Sequence, residues 1–209
     1  MDALLAVTVL VAVAAITPGP NNFIVMHTAA HAGTRATLAV IAGVVGGGLA
    51  MLVLAMLGIG AAADAVPGLR SAIALTGAMY LAWLGGRIVV ASYRPAKSGR
   101  ADPMDSMPVG MLGLFGFQFL NPKSWTMVLA VAASAGAGAT NAIAWVWLVL
   151  VFLIVPSACL ALWSGLGTLI ATRIEQPCLR ARIDRTMGVL LILSALLLAS
   201  SGVNPEPAR

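Results

Sequence analysis

Six long apolar segments make up most of the chain, and two of them are interrupted near the middle. They run from about Ala3 to Met26, Thr37 to Ala63, Leu69 to Ser92, Pro108 to Ala133, Ala142 to Ala171 and Thr186 to Val203. Each is close to the ~20 residues a helix needs to cross hydrocarbon, so the pattern predicts six transmembrane helices. The fifth contains Pro156, where a bend is expected. Merging segments four and five would give five spans, but their combined length is too great for one crossing. The polar stretch 93–107 is the longest connection.

The first interruption is Thr17-Pro18-Gly19-Pro20-Asn21-Asn22. A proline has no N–H to bond four residues back. Pro18 therefore frees the carbonyl of Ala14, and Pro20 frees that of Ile16. The second interruption, Gln118 to Trp125, holds Asn121-Pro122-Lys123, and Pro122 frees the carbonyl of Gln118. Unpaired backbone at membrane depth is tolerated only against protein or a water-filled cavity. Matching breaks in two halves point to a substrate site between them.

Composition agrees with a membrane protein. Hydrophobic residues make up 60% of the chain and charged residues 9%, against about 25% charged in soluble domains. The mean hydropathy is +0.99. The expected fold is all-α and polytopic, a single transporter domain over residues 1–209. Three spans followed by three make an inverted-topology repeat the natural arrangement, with repeat one at about 1–92, a linker at 93–107 and repeat two at about 108–209. Residues 1–20 are read as a first span rather than a signal peptide, because the basic n-region is missing.

The basic residues set orientation, not nucleic-acid binding. Of the twelve Lys and Arg, nine fall on one side of the predicted spans: Arg35, Arg87, Arg94, Lys97, Arg100, Arg173, Arg180, Arg182 and Arg185. Arg70 and Arg209 fall on the other side, and Lys123 lies within a span. The positive-inside rule then puts both termini outside and the 93–107 linker in the cytoplasm.

Lys123 is the strongest chemical signal. A lysine at a helix centre costs about 2.5–3.5 kcal/mol, so it should face a cavity or a partner. Asn121 and Pro122 before it suit the N-cap and first position of a new half-helix. The half-helix N–H groups and the ammonium would converge on an anion such as a carboxylate. Asn21 and Asn22 would start the half-helix after the first break, and Gln118 either joins the site or bonds a neighbouring helix. The freed carbonyls of Ala14, Ile16 and Gln118 suit a cationic group. One zwitterion satisfies both kinds of partner. Candidate substrate-binding residues are thus Lys123, Asn121, Asn21, Asn22 and Gln118. Thr17, Pro18, Gly19, Pro20 and Pro122 form the breaks.

Other features weigh less. Gly43 and Gly47 form a G-x-x-x-G that allows close helix approach, either inside the bundle or in a homodimer. Trp83, Tyr93, Trp145 and Trp147 read as interfacial anchors, while Trp125 and Trp163 are deep enough to line a cavity. His27 and His31 read as loop histidines, and Asp184 as a helix-dipole residue at the start of span six. Cys159 and Cys178 form no C-x-x-C pair and have no metal-ligand spacing, so no disulfide, metal site or cofactor is expected. No H-E-x-x-H or G-x-S-x-G motif is present, and Ser124 beside Lys123 is not a dyad, because adjacent helical residues do not face each other. An enzyme is not expected.

With T-P-G-P-N-N at 17–22 and F-L-N-P-K-S-W at 119–125, the chain resembles the lysine exporter / homoserine–threonine efflux family. Gly33 to Arg35 and Tyr80 to Gly85 follow the same pattern, and the resemblance extends over nearly the whole chain. It implies a bacterial inner-membrane exporter of amino acids or small derivatives, driven by the proton gradient. It also implies Pro18, Gly19, Pro20, Asn21, Asn121, Pro122 and Lys123 as motif positions. Exporters of another small solute or a metal ion, or a membrane scaffold, are the alternatives.

Overall fold

The computed structural model describes residues 2–57, 68–93, 110–135, 142–173 and 176–203. Among these the chain is helical: α1 Asp2–Ile16, α2 Pro20–His31, α3 Gly33–Met56, α4 Leu69–Ser92, α5 Met111–Leu120, α6 Pro122–Ala135, α7 Ala142–Arg173 and α8 Pro177–Val203. The 93–107 linker, apart from Tyr93, lies outside the described residues, as do Asp64, Glu175 and both chain ends.

Both interruptions break their segments into two helices. α1 and α2 meet at 53° across residues 17–19. α5 and α6 are separated by Asn121 alone, whose backbone is extended at φ −94°, ψ 108°. Pro156, by contrast, lies inside a continuous α7. The last helix starts at Pro177, nine residues earlier than the apolar pattern indicates. The apolar pattern marks where lipid contact begins, whereas the polar first turns of α8 are held by backbone bonding and packing.

Among the described residues, three helices are long and apolar enough to cross a membrane: α3, Ser71–Ser92 of α4 and Ile143–Arg173 of α7. The bent α1–α2 pair makes a fourth if it is counted as one span. Many large apolar side chains face outward, among them Leu112 at 82%, Ile143 at 78% and Leu197 at 71% exposed. An outer surface of that kind suits hydrocarbon rather than water.

Two apolar cores flank the breaks. One joins α2, α3, α4, α5, α7 and α8 through residues such as Ile24, Val44, Leu81, Leu114, Leu160 and Leu191. The other joins α1, α3, α6 and α7 through Val11, Met51, Val128 and Phe152. Glycine sets three of the closest approaches. A Cβ on Gly43 would run into the Met111 carbonyl, and one on Gly47 would lie 2.6 Å from the Phe115 oxygen and 2.7 Å from Gln118 Cγ. The G-x-x-x-G is therefore used within the chain, to seat α5 on α3. Gly85 and Gly188 do the same between α4 and α8, where a Cβ on Gly85 would meet the Gly188 oxygen at 2.5 Å. Gly167 of α7 sits against the Met26 carbonyl of α2. Gly33 has φ +77°, which lets the chain turn from α2 into α3.

Candidate functional site

The fold brings the two breaks face to face. Lys123 Nζ donates to the Thr17 carbonyl oxygen at 2.7 Å and to Thr17 Oγ1 at 2.9 Å. Asn21 and Gln118 form a reciprocal amide pair, with Asn21 Nδ2 to Gln118 Oε1 at 3.0 Å and Gln118 Nε2 to Asn21 Oδ1 at 3.1 Å. Residues about a hundred positions apart thus meet in direct hydrogen bonds.

Each break is satisfied in its own way. At the first, Gly19 caps α2 with an extended backbone and Pro20 takes the first turn, where its missing N–H costs nothing. A Cβ on Gly19 would stand 3.0 Å from Lys123 Nζ, so glycine here makes room for the ammonium. Asn22 does not cap α2. Its Nδ2 reaches back to the carbonyls of Ala15 at 3.1 Å and Thr17 at 2.9 Å. The Ala14 carbonyl, expected to await a ligand, accepts from Thr17 Oγ1 at 2.9 Å.

At the second break, Asn121 is the N-cap that its position before Pro122 predicts. Asn121 Oδ1 accepts from the Lys123 backbone N–H at 3.1 Å. The Gln118 carbonyl, also expected to be free, accepts from the Asn121 N–H at 3.1 Å. Trp125 Nε1 donates to the Phe119 carbonyl at 2.9 Å and so staples the two helix ends. Ser124 Oγ donates to Gln118 Oε1 at 2.8 Å. Gln118 Nε2 also reaches its own helix at Leu114, 3.2 Å away.

A cavity of about 60 Å³ lies between the breaks. Asn21, Asn22, Gln118, Asn121, Lys123 and Ser124 give it one polar wall; Val44, Val45, Met127, Phe152 and Leu160 give an apolar one. All five predicted binding residues line it. Its volume holds a few waters rather than a whole amino acid. Among the described residues no carboxylate pairs with Lys123, so its charge rests on a carbonyl and a hydroxyl. The N-termini of α2 and α6 border the same space. The positive ends of the two helix dipoles and the ammonium together favour an anion.

Several side chains do something other than expected. Ser124 is buried and completes the Asn21–Gln118 network. Trp125 and Trp163 do not line the cavity: Trp125 bridges the break, and Trp163 packs edge-on against Phe23 at 6.1 Å between ring centroids. His27 and His31 are on helix α2, not in a loop, and Asp184 lies two turns into α8, facing them. The i, i+4 spacing of the histidines is the signal that marks them as a pair. Cys159 is buried, Cys178 is exposed, and both are free.

Comparison with known proteins gives a consistent picture. Residues 12–202 match the family model described as LysE type translocator. The chain is 34% identical over 114 residues to a cysteine/O-acetylserine efflux protein of Salmonella choleraesuis (strain SC-B67), covering 53% of this chain and 54% of that protein. It is 30% identical over 112 residues to a leucine efflux protein of Enterobacter sp. (strain 638), covering 52% of each. A leucine efflux protein of Klebsiella pneumoniae is 34% identical over 112 residues, with 52% of this chain and 51% of that protein covered. The aligned region spans about half the length of these curated relatives. No solved structure matches. The family model covers nearly all of the chain and both breaks, and the chain belongs to the LysE type translocator family.

Proposed function

We propose that this protein is a secondary-active exporter in the bacterial inner membrane, carrying amino acids or small zwitterionic derivatives and driven by the proton gradient. The strongest support is the Lys123 ammonium, which joins the two breaks with no carboxylate partner among the described residues. A substrate carboxylate is a better partner than a neutral carbonyl, since it adds the attraction of opposite charges to the hydrogen bond. Its arrival would draw Lys123 off Thr17 and leave the Thr17 carbonyl for the substrate ammonium. The apolar wall of Val44, Val45, Met127, Phe152 and Leu160 suits an uncharged side chain. That preference agrees with the cysteine, O-acetylserine and leucine named for its relatives.

The transport cycle follows from the same contacts. The broken pairs α1–α2 and α5–α6 each serve as one span and, with α3, α4, α7 and α8, make six, arranged as two inverted halves. Both termini lie outside, and the basic loops lie in the cytoplasm. With substrate bound, the Lys123–Thr17 link is replaced, and the halves rock about the breaks in alternating access.

The test is efflux from cells preloaded with labelled cysteine, O-acetylserine, leucine and a wider amino-acid panel. Intact protein should speed the loss of one or a few of these, and Lys123→Ala should abolish the gain at equal membrane abundance. Wild-type efflux in Lys123→Ala would sink the site assignment. A panel that never moves would sink the amino-acid reading.

A further inference from the structure

Away from the cavity, His27, His31 and Asp184 form a cluster that does not line it. The histidines lie one turn apart on α2, and Asp184 faces both from α8. Their rings stack, with centroids 4.2 Å apart and planes at 20°. His31 Nδ1 is 3.0 Å from the His27 carbonyl oxygen. A carbonyl can only accept, so Nδ1 carries the proton. In the neutral ring Nε2 is then an acceptor, and it faces Asp184 Oδ2 at 3.3 Å. Two acceptors held that close call for a cation between them.

His27 shows which cation fits. Its ring is buried, and its Nδ1 has no hydrogen-bond partner. Its Nε2 stands 3.8 Å from Asp184 Oδ1, beyond hydrogen-bond reach. A ligand on Nε2 leaves that Nδ1 as it is, so the choice of cation rests on the three facing donors. A proton on His31 would pair that ring with Asp184 and leave His27 as it is. A metal ion would engage all three, whose donor atoms lie within 4.8 Å of one another.

We propose that His27 Nε2, His31 Nε2 and the Asp184 carboxylate form a binding site for a divalent transition metal of the zinc class. Two imidazoles and one carboxylate suit Zn²⁺ and its neighbours over Mg²⁺ or Ca²⁺. The Nδ1–H of His31 on a backbone carbonyl is the outer contact that metal-bound imidazoles commonly make. Zinc–nitrogen bonds of about 2.0–2.1 Å require the donors to draw together, and the His31 side chain, 27% exposed, has room to swing inward.

Neighbouring cations leave the carboxylate to the histidines. The Arg185 guanidinium lies over the Tyr93 ring at 3.9 Å, and Arg180 donates to the Ala171 carbonyl. Among the described residues, Asp184 pairs with no arginine. A bound metal would pin α2, which carries Pro20 to Asn22, to α8. The site stands independently of what the cavity transports.

Untagged full-length protein in detergent should take up one Zn²⁺ per chain in equilibrium dialysis, undiminished by equimolar Mg²⁺. Co²⁺ should develop visible absorption. His31→Gln and Asp184→Asn, both at partly exposed positions, should each raise the Zn²⁺ Kd by at least about tenfold while remaining monodisperse. Cys178 is an exposed thiol, and Cys178→Ser should bind as wild type. No stoichiometric uptake, uptake unchanged in both variants, or uptake lost only with Cys178→Ser would overturn the proposal. A titrating His31 without zinc uptake would likewise leave a proton as the cation and overturn it.

Discussion

The two breaks solve the same problem differently. The second is closed locally: Asn121 caps its own half-helix, and Trp125 ties α6 back to the end of α5. The first is a wider unwound stretch with a 53° bend. It borrows part of its support from across the interface, since Thr17 accepts from the Lys123 ammonium, while the reciprocal Asn21–Gln118 pair serves both breaks alike. The first break is therefore the dependent partner. Detaching Lys123 from Thr17 should therefore loosen the α1–α2 joint more than the α5–α6 joint. An asymmetry of this kind lets ligand chemistry at one residue move a helix pair.

Lys123→Ala should have the largest effect, because it removes the ammonium from both the cavity and the first break. Efflux should fall to background, a loss on the order of a hundredfold, as expected when a charged hydrogen bond to substrate worth about 1.5–3 kcal/mol disappears and the support of the break goes with it. Labelled efflux at matched abundance measures this.

Gln118→Ala comes next. It strands the Asn21 amide and the Ser124 hydroxyl, both of which now bond to Gln118 Oε1. A buried unsatisfied group costs about 1–3 kcal/mol, so the melting temperature in detergent should fall by several degrees.

The comparison itself is tested by pairing Asn22→Ala with Asn121→Ala. Asn22 supplies the donor to two carbonyls of the first break. Asn121 supplies one cap, worth about 1 kcal/mol. The Asn22 variant should destabilise more, and hydrogen exchange should rise chiefly in α1 and α2. Equal losses, or exchange that rises mainly in α5 and α6, would remove the asymmetry.

Gly19→Ala should be the mildest. The Gly19 backbone is extended at φ −164°, which any residue adopts, so folding should be nearly unchanged. Its new methyl would press on the flexible end of Lys123. The half-saturating substrate concentration for efflux should shift severalfold while the melting temperature holds.

Much of this site is legible in the sequence because its causes are local. A proline always withholds an N–H, so Pro18, Pro20 and Pro122 announce the breaks wherever the chain folds. Asn before Pro at a helix start has one dominant use, and Asn121 follows it. A lysine deep in an apolar run must find polar company, as Lys123 does. The partners, however, come from across the molecule. Nothing near Thr17 says that its carbonyl will meet Lys123, and nothing near Asn22 says that its amide will fold back onto Ala15. The carbonyls of Ala14 and Gln118, freed on paper, are taken by neighbours once the turn closes.

The histidines mark the other limit. Local polarity makes His27 and His31 look like loop residues, and Asp184 looks like a helix-dipole residue. Extending α8 back to Pro177 places Asp184 two turns inside a helix, and packing turns it toward α2. Gly43 and Gly47 likewise allow close approach without naming the partner; the fold assigns them to α5.

The sequence alone determined the membrane-protein class, the positions of the helix breaks, the cap at Asn121 and the need of Lys123 for polar company. Each follows from backbone hydrogen bonding and desolvation, which act over a few residues. Tertiary structure decided that the breaks face each other, that Thr17 receives the ammonium, and that an acid on the last helix meets two histidines on α2. Those depend on which surfaces pack, and residues far apart in the chain acquire a distance only when they do.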